Sequence, residues 1–447
     1  MTIYASPYIP NTAADRELMF AAIGVRSIDD LVQDIPEQYR FPDLKLRPSL
    51  SEFELTSEIA DLAAKNVTPG DYASFIGAGA YRHYIPAVVK SIVARGELLT
   101  SYTPYQPEVA QGTLQVGFEF QSMICEITGM EVANAGMYDG PTAFAEGGLM
   151  ACRVTRRQTI AILDTVDPRN ISILDAYARH QGIEITVVGS DEKLPDDVAC
   201  LMVQSPNQFG AIEDMDALAR KAHEAGALIV ASVNPTYLGM FKTPGECDVD
   251  IVAAEGQALG VPLSFGGPYV GLFACKDTYK RQMPGRIIGR TTDTRGRVGY
   301  ALTLQTREQH IRRERATSNI CTSTALIGLL MTTYLAVIGR AGFKKVAELC
   351  YHKAHYAADQ IDRLSGYSVK SKGNFFHEFL VECPRPPAEI NRALIDHKII
   401  GGYDISDRIN NGMLFCVTEI NTKSEIDSLV SALAQIAVLE ENTVGAK

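Results

Sequence analysis

The sequence predicts an α/β chain: a mainly parallel sheet covered on both faces by helices, with a helical arm before it and a smaller α+β unit after it. Three observations predict this. The central apolar segments are near-continuous runs of Val, Ile, Leu and Ala, the pattern of strands buried on both faces. Those runs alternate with helical stretches, as a layered α/β fold requires. At 447 residues the chain exceeds the ~250–300 beyond which one core tends to divide. The expected divisions are an arm over 1–70, a large domain over 71–335 and a small domain over 336–447.

In chain order, Asn11 or Thr12 is placed to cap a helix that runs to Ile23 and ends at Gly24. A short helix from Ile28 to Val32 follows Ser27. Pro42 and Pro48 break any periodicity between Phe41 and Leu50. The stretch from Asp71 to Thr128 is rich in Gly, Pro and Tyr, with a helix after Gln111. Irregular segments of this kind often line sites. The centre then reads as helix Pro141–Arg153, strand Thr159–Leu163, helix Asn170–Arg179, and strands Glu184–Val188 and Ala199–Val203. Helix Met215–Ala225, strand Ala227–Ala231 and the apolar stretches Asp250–Ala254 and Tyr269–Cys275 complete the sheet pattern. Residues 276–319 are arginine-rich and read as irregular. A long helix from about Thr322 to Ile338 leads to strand Glu378–Val381, helix Pro387–His397, strand Met413–Val417 and helix Ser424–Gln435. Thr422 and Glu425 have capping-box spacing.

Composition excludes several function classes. A net charge of −11 gives no basic face for nucleic acid. The nine cysteines are scattered, with no CxxC or Cys/His pair at metal-ligand spacing, so reduced core thiols and no metal are expected. No apolar run is read as approaching the ~20 residues of a membrane span, and the first residues lack a basic and apolar leader pattern, so a cytoplasmic protein is expected.

Chemistry-bearing motifs are sparse. Asp139-Gly140-Pro141-Thr142 is a glycine turn opening a helix, where free N–H groups and the helix dipole favour an anion. Asp139 would repel a phosphate there, and a plain N-cap explains it equally. Gly266-Gly267-Pro268 is either a tight backbone approach or an ordinary hairpin. No GxSxG, HExxH or Walker A sequence is present. His83 and His310 are candidate acid/base residues by type alone.

Taken together, FIGAGAYRHYIP (Phe75–Pro86), SYTPYQPEVAQGTLQ (Ser101–Gln115), MYDGPTAFAE (Met137–Glu146), SFGGPYVG (Ser264–Gly271) and TREQHIRRERATSNICT (Thr306–Thr322) resemble the first subunit of the decarboxylating glycine dehydrogenase family. That family is the P-protein of the glycine cleavage system, and the resemblance covers essentially the full chain. It implies the type I fold of pyridoxal 5′-phosphate (PLP) dependent transferases. It further implies decarboxylation of glycine with passage of the aminomethyl group to the lipoyl arm of the H-protein. T-protein and L-protein would act alongside.

Type I enzymes need a lysine to hold PLP and an acid against the pyridine nitrogen, which keeps the ring an electron sink. Counting back from Pro268 by the family spacing lands the lysine position on Gln257, which has no amine. The acid position, at the end of the strand that starts Gly226-Ala227-Leu228, is Ser232, whose hydroxyl cannot stabilise a pyridinium as a carboxylate does. With Gly140 and Thr142 these are vestigial cofactor positions. The resemblance therefore places PLP in a second subunit, not covalently on this chain, in an expected assembly of two plus two. Residues lent to the partner's site would be Thr317, within Glu314-Arg315-Ala316-Thr317, as a phosphate donor, with Tyr81, Arg82, His83, Tyr102 and Tyr105 lining the lipoyl channel. Interface packing explains the tyrosines equally. The arginines from Arg281 to Arg315 present either a docking surface for an acidic carrier or a solvated charge run. The rival readings are an inactive regulatory or scaffold protein of the same fold, and an independent PLP enzyme using another lysine, with Lys276 the nearest and expected to be solvated.

Overall fold

The computed structural model describes residues 8, 10–40, 42–320, 324–371 and 374–444, with side chains to residue 437 in the last helix. The chain divides into two compact units at Val67/Thr68.

Among the described residues the first unit holds three α-helices, each started by a capping box. Thr12 caps α1 (Ala13–Ile23): its hydroxyl accepts from the Asp15 N–H while Asp15 accepts from the Thr12 N–H, and Gly24 ends the helix at φ 84°. Ser27 and Ser51 do the same for α2 (Ile28–Leu31) and α3 (Glu52–Ala63). The sequence reading missed α3, although Ser51 and Glu54 have the signature spacing. No residue of these three helices is buried. Residues 42–50 have no helix or strand, and Phe41 lies outside the described residues.

The second unit is built on the central sheet. Its helices α4 (Gln111–Thr128), α5 (Gly140–Thr155), α6 (Pro168–Ala178) and α7 (Met215–Glu224) alternate with strands. Among the described residues seven strands form one sheet: β1 (Val132–Ala133), β2 (Thr159–Leu163), β3 (Glu184–Val188), β4 (Val198–Ser205), β5 (Leu228–Val233), β6 (Ile251–Glu255) and β7 (Gly271–Cys275). Their order is β1-β7-β6-β5-β4-β2-β3. Pairs from β6 through β3 are parallel, while β7 is antiparallel to both neighbours. The apolar runs read from sequence overlap these strands to within two residues at their starts, and nearly all the residues of β2, β4 and β6 are buried, as two covered faces demand.

Residues 276–319 correct the expectation of irregularity. An antiparallel hairpin of β8 (Ile287–Thr292) and β9 (Val298–Thr303) packs Ile288 and Leu302 on Leu114. Arg290 in β8 and Arg295 and Arg297 in the turn obscured its alternation. Arg307 clamps the hairpin base, its guanidinium donating to the Leu304, Met283 and Gly285 carbonyls.

Helix α8 (Ala325–Ile361) is longer than expected and carries a backbone break at Gly339, one residue past the predicted end. The predicted start, Thr322, lies outside the described residues. By length and composition α8 is apolar enough to cross a membrane, with mean hydropathy 1.6 over its best window. This corrects the sequence reading that no apolar run approaches the length of a membrane span. Met331, Tyr334 and Leu335 of this helix are buried in the large core.

A second core surrounds a four-stranded antiparallel sheet, β10 (Ser368–Val369), β11 (Glu378–Glu382), β12 (Tyr403–Asp404) and β13 (Gly412–Cys416), in the order β10-β11-β13-β12. Helices α9 (Pro387–Asp396) and α10 (Lys423–Val444) cover it, and Thr422 with Glu425 forms the expected box at the start of α10. Phe75, well ahead of the large sheet in sequence, is buried in this smaller core because Ala73–Ser74 pairs with Ile399–Ile400.

Candidate functional site

Parallel α/β sheets place ligands beyond the carboxyl ends of their strands. At that end β6 stops at Glu255 and α5 begins at Gly140. Asp139 caps α5, its carboxylate accepting the Thr142 N–H at 2.8 Å, and the Thr142 hydroxyl donates to the Asp139 carbonyl at 3.3 Å. The Gly140 N–H donates to Glu255 Oε2 at 2.8 Å. A side chain on Gly140 would lie 2.8 Å from Glu255 Cβ, so glycine is needed for this approach. Two carboxylates thus occupy the helix N-terminus where an anion would bind. Burial pushes the Glu255 carboxyl up to about 7, against the hydrogen bonds it accepts from Gly140 and Gln257.

Gln257 is 2% exposed. Its Oε1 accepts the Tyr81 N–H at 2.7 Å, and its Nε2 donates to the carbonyls of Tyr81 at 2.8 Å and Val261 at 2.9 Å. The whole amide is spent on holding backbone. Ser232 sits on β5 between Gln204 and Ala253 of the neighbouring strands. An amide bonded in this way, a hydroxyl at the acid position and a helix N-terminus already facing two carboxylates do not fit PLP. Pro268, from which the lysine position was counted, follows this turn.

The segment Ala78–Tyr84 runs from Gln257 to the smaller sheet. The Ala78 N–H donates to Glu378 Oε1 at 2.6 Å and the Tyr81 hydroxyl to Glu378 Oε2 at 2.7 Å. Burial raises both the Glu378 carboxyl and the Tyr81 phenol, which stays a donor. The Arg82 carbonyl accepts from the Thr418 hydroxyl at 2.7 Å. His83 Nδ1 lies 2.6 Å from Glu419 Oε2, and the Tyr84 N–H donates to Glu419 Oε1 at 2.6 Å. Burial works against the Glu419 charge, yet His83 and Tyr84 hold its carboxyl below the usual range. Beside them, Asn234 accepts from the Thr236 N–H, which turns its amide NH2 toward His377 Nε2 at 3.2 Å. Burial lowers His377 well below the ordinary imidazole value, so it is neutral with its proton on Nδ1.

The predicted site residues therefore separate. Tyr81 and His83 are fastened inside the chain, while the neighbouring Tyr84 is 66% exposed. Tyr102 is 76% exposed. Tyr105 accepts a hydrogen bond from Arg286 at 2.8 Å and meets the His310 ring edge-on at 5.7 Å. Arg286 and Glu308 are both buried, 3.4 Å apart. The Thr317 N–H donates to the Arg307 carbonyl at 2.9 Å, which anchors its segment to the hairpin base. Lys276, expected to be solvated, is instead bound by Asp248 and Asp250, each at 2.7 Å, and their charge keeps its ammonium raised against the opposing effect of burial. Glu255, Glu378, Glu419 and His377 escaped the sequence reading because no motif surrounds them. Apart from Gln257, which donates to Glu255 from two residues on, the partners described above lie more than a hundred residues away.

The family described as the glycine cleavage system P-protein matches residues 6–433. The probable glycine dehydrogenase (decarboxylating) subunit 1 of Thermomicrobium roseum is 49% identical over 443 residues, covering 96% of this chain and 99% of that protein. The protein of the same description from Desulfitobacterium hafniense is 47% identical over 443 residues, with coverage of 96% and 99%. A crystal structure of glycine decarboxylase (P-protein) of the glycine cleavage system, in inhibitor-bound form, matches with TM-score 0.91 and 38% identity, covering 96% of this chain and 100% of that one. A glutamate decarboxylase from Lactobacillus brevis, with TM-score 0.66 and 13% identity over 89% of this chain and 95% of that one, shares the fold. The fold is that of the type I PLP-dependent enzymes. Matched across nearly its whole length in sequence and in structure, the chain belongs to the glycine cleavage system P-protein family.

Proposed function

We propose that the chain is the first, cofactor-free subunit of a decarboxylating glycine dehydrogenase, and that a second subunit carries PLP. Together they release CO2 from glycine and pass the aminomethyl group to the lipoyl arm of the H-protein, in an assembly of two plus two acting with T-protein and L-protein in the cytoplasm. The observation that carries this reading is Gln257: a buried amide, bonded three times to backbone, stands where the covalent lysine would be. PLP supplies the electron sink for decarboxylation, and nothing at this chain's own cleft replaces that chemistry.

What this chain's residues do is positional. Gln257, Glu378 and Glu419 fix the Ala78–Tyr84 segment, and Arg307 fixes the backbone of Thr317. Thr317 donates to the phosphate of the cofactor held by the second subunit. Tyr102 and Tyr105 face the path of the lipoyl arm, with Tyr81, Arg82 and His83 shaping it from behind. The arm, the large domain over 71–335 and the small domain over 336–447 move as parts of one subunit. The test is glycine–bicarbonate exchange by each purified subunit alone and by the two mixed. Exchange in the mixture and none with this chain alone is expected, and exchange by this chain alone contradicts the reading.

A further inference from the structure

We infer that His83, Cys350 and Glu419 form a binding site for one zinc ion, which goes beyond the subunit reading and does not depend on it. One donor atom from each residue lies within 4.8 Å of the other two. His83 Nδ1 is 2.6 Å from Glu419 Oε2, and Cys350 Sγ is 3.5 Å from the same oxygen. All three are enclosed: the side chains of His83 and Glu419 are 2% and 8% exposed, and Cys350 is fully buried. A ring nitrogen and a thiol thus converge on a single carboxylate oxygen, where one cation can take the place of the protons they share.

The donor set selects the ion. Thiolate and imidazole are poor ligands for Mg2+ or Ca2+ and good ones for zinc. Charge agrees, because one thiolate, one carboxylate and a neutral imidazole are cancelled by a divalent ion, and buried charge persists only when balanced. Zinc bonds of about 2.0 Å to nitrogen or oxygen and about 2.3 Å to sulfur put tetrahedral ligands about 3.3–3.6 Å apart. The Sγ–Oε2 separation is already 3.5 Å. The Nδ1–Oε2 separation has to open by about 0.7 Å. Among the described residues His83 Nε2 has no hydrogen-bond partner, so it is free to carry the ring proton while Nδ1 binds metal. The thiol proton passes to solvent, and water fills the fourth position.

The ligands are held without the ion. The Tyr84 N–H keeps Glu419 Oε1, and Thr418 holds the Arg82 carbonyl next to His83. Lys353 donates to the carbonyls of Glu419 and Asn421 and so leaves the carboxylate oxygens free. Supporting bonds of this kind orient metal ligands. His83 comes from the Ala78–Tyr84 segment, Cys350 from α8 beyond Gly339, and Glu419 from just after β13, so one ion ties three segments together. His83 and Glu419 are 336 positions apart, so no spacing motif marks the set in the sequence.

The test uses the untagged full-length chain, stripped by chelator, dialysed, and loaded with zinc, with cobalt as a spectroscopic stand-in, or with Mg2+ as a control. Wild type is expected to retain one zinc per chain and no Mg2+, and its cobalt form to show a thiolate charge-transfer band. Cys350→Ala loses the band and binds zinc roughly 100-fold or more weakly, beyond what loss of a supporting partner costs. Glu419→Gln also weakens binding. Cys383→Ala, which removes a buried thiol elsewhere in the smaller core, leaves band and affinity unchanged. Zinc raises the melting temperature of wild type but not of Cys350→Ala. Wild-type chain that retains no zinc overturns the inference, as does zinc binding that survives in Cys350→Ala. So does a cobalt form without the thiolate band, a result read on wild type and therefore independent of whether any variant folds.

Discussion

Gln257 concentrates three hydrogen bonds in one buried amide. Gln257→Ala leaves the Tyr81 N–H and two carbonyls unpaired, and buried unpaired groups cost about 1–3 kcal/mol each. A loss of roughly 3 kcal/mol or more in urea unfolding is expected on that basis, and a loss below 1 kcal/mol would mean the amide is not what holds the segment. Glu255 offers a second, pH-resolved test. Its folded carboxyl titrates at about 7, above the ordinary 4.5, because it is buried. The folded state therefore takes up a proton that the unfolded state releases, and this contribution is full below pH 4.5 and lost as pH rises through 7. Glu255→Gln removes the loss. Relative to wild type it gains stability between pH 4.5 and 8, by at most about 3 kcal/mol from 1.36 kcal/mol per unit. Parallel unfolding curves across that range would refute the assignment. Thr317→Ala, tested in the assembled complex, is expected to weaken PLP retention by about 1.5–3 kcal/mol, the worth of a hydrogen bond to a charged group. Cofactor release from the complex measures it directly, and unchanged retention removes Thr317 from the site.

At the scale of elements, helix α8 carries the sharpest prediction. Gly339 interrupts it at φ 59° and ψ −177°, a region open almost only to glycine, and an added side chain there would meet nothing within 4 Å. Gly339→Ala is therefore a pure backbone substitution, expected to destabilise by roughly 1–3 kcal/mol. An unchanged melting temperature would show that the break is not required. The same helix shows what could be read in the sequence and what could not. The helix as far as about Ile338 was legible, but its continuation to Ile361 was not, because the later turns switch from the large core to the small one. Strand Thr159–Leu163 was legible to the residue, since burial on both faces leaves a continuous apolar signature, and the edge strand Glu184–Val188 was legible from its β-branched run although only Val188 is buried. The β8–β9 hairpin was hidden because its buried residues, Ile287, Ile288 and Leu302, cluster at the base of the hairpin while the rest of both strands is polar or part-exposed. The arm's α3 was missed despite a full capping box, which shows that cap spacing is informative only when it is looked for before a polar helix.

For the whole molecule, the sequence proposes a cleft but not what closes it. Gly140, Thr142, Ser232 and Gln257 are cofactor positions by resemblance to the family, whereas Glu255, Glu378 and Glu419 act through contacts made by folding alone. The lent residues were grouped by their neighbourhood in sequence, yet folding ties Tyr81 and His83 to the smaller sheet and Tyr105 to Arg286. The resulting account is of a subunit whose own cofactor cleft has become a structural joint, with its chemistry delegated to a second chain. Reductive trapping examines that claim most directly. The assembled complex, loaded with PLP, is treated with borohydride and digested, and the labelled peptide is sequenced. The account predicts label on a lysine of the second subunit and none on this chain. Label on any lysine of this chain, recovered together with CO2 release when it is assayed alone, would contradict it.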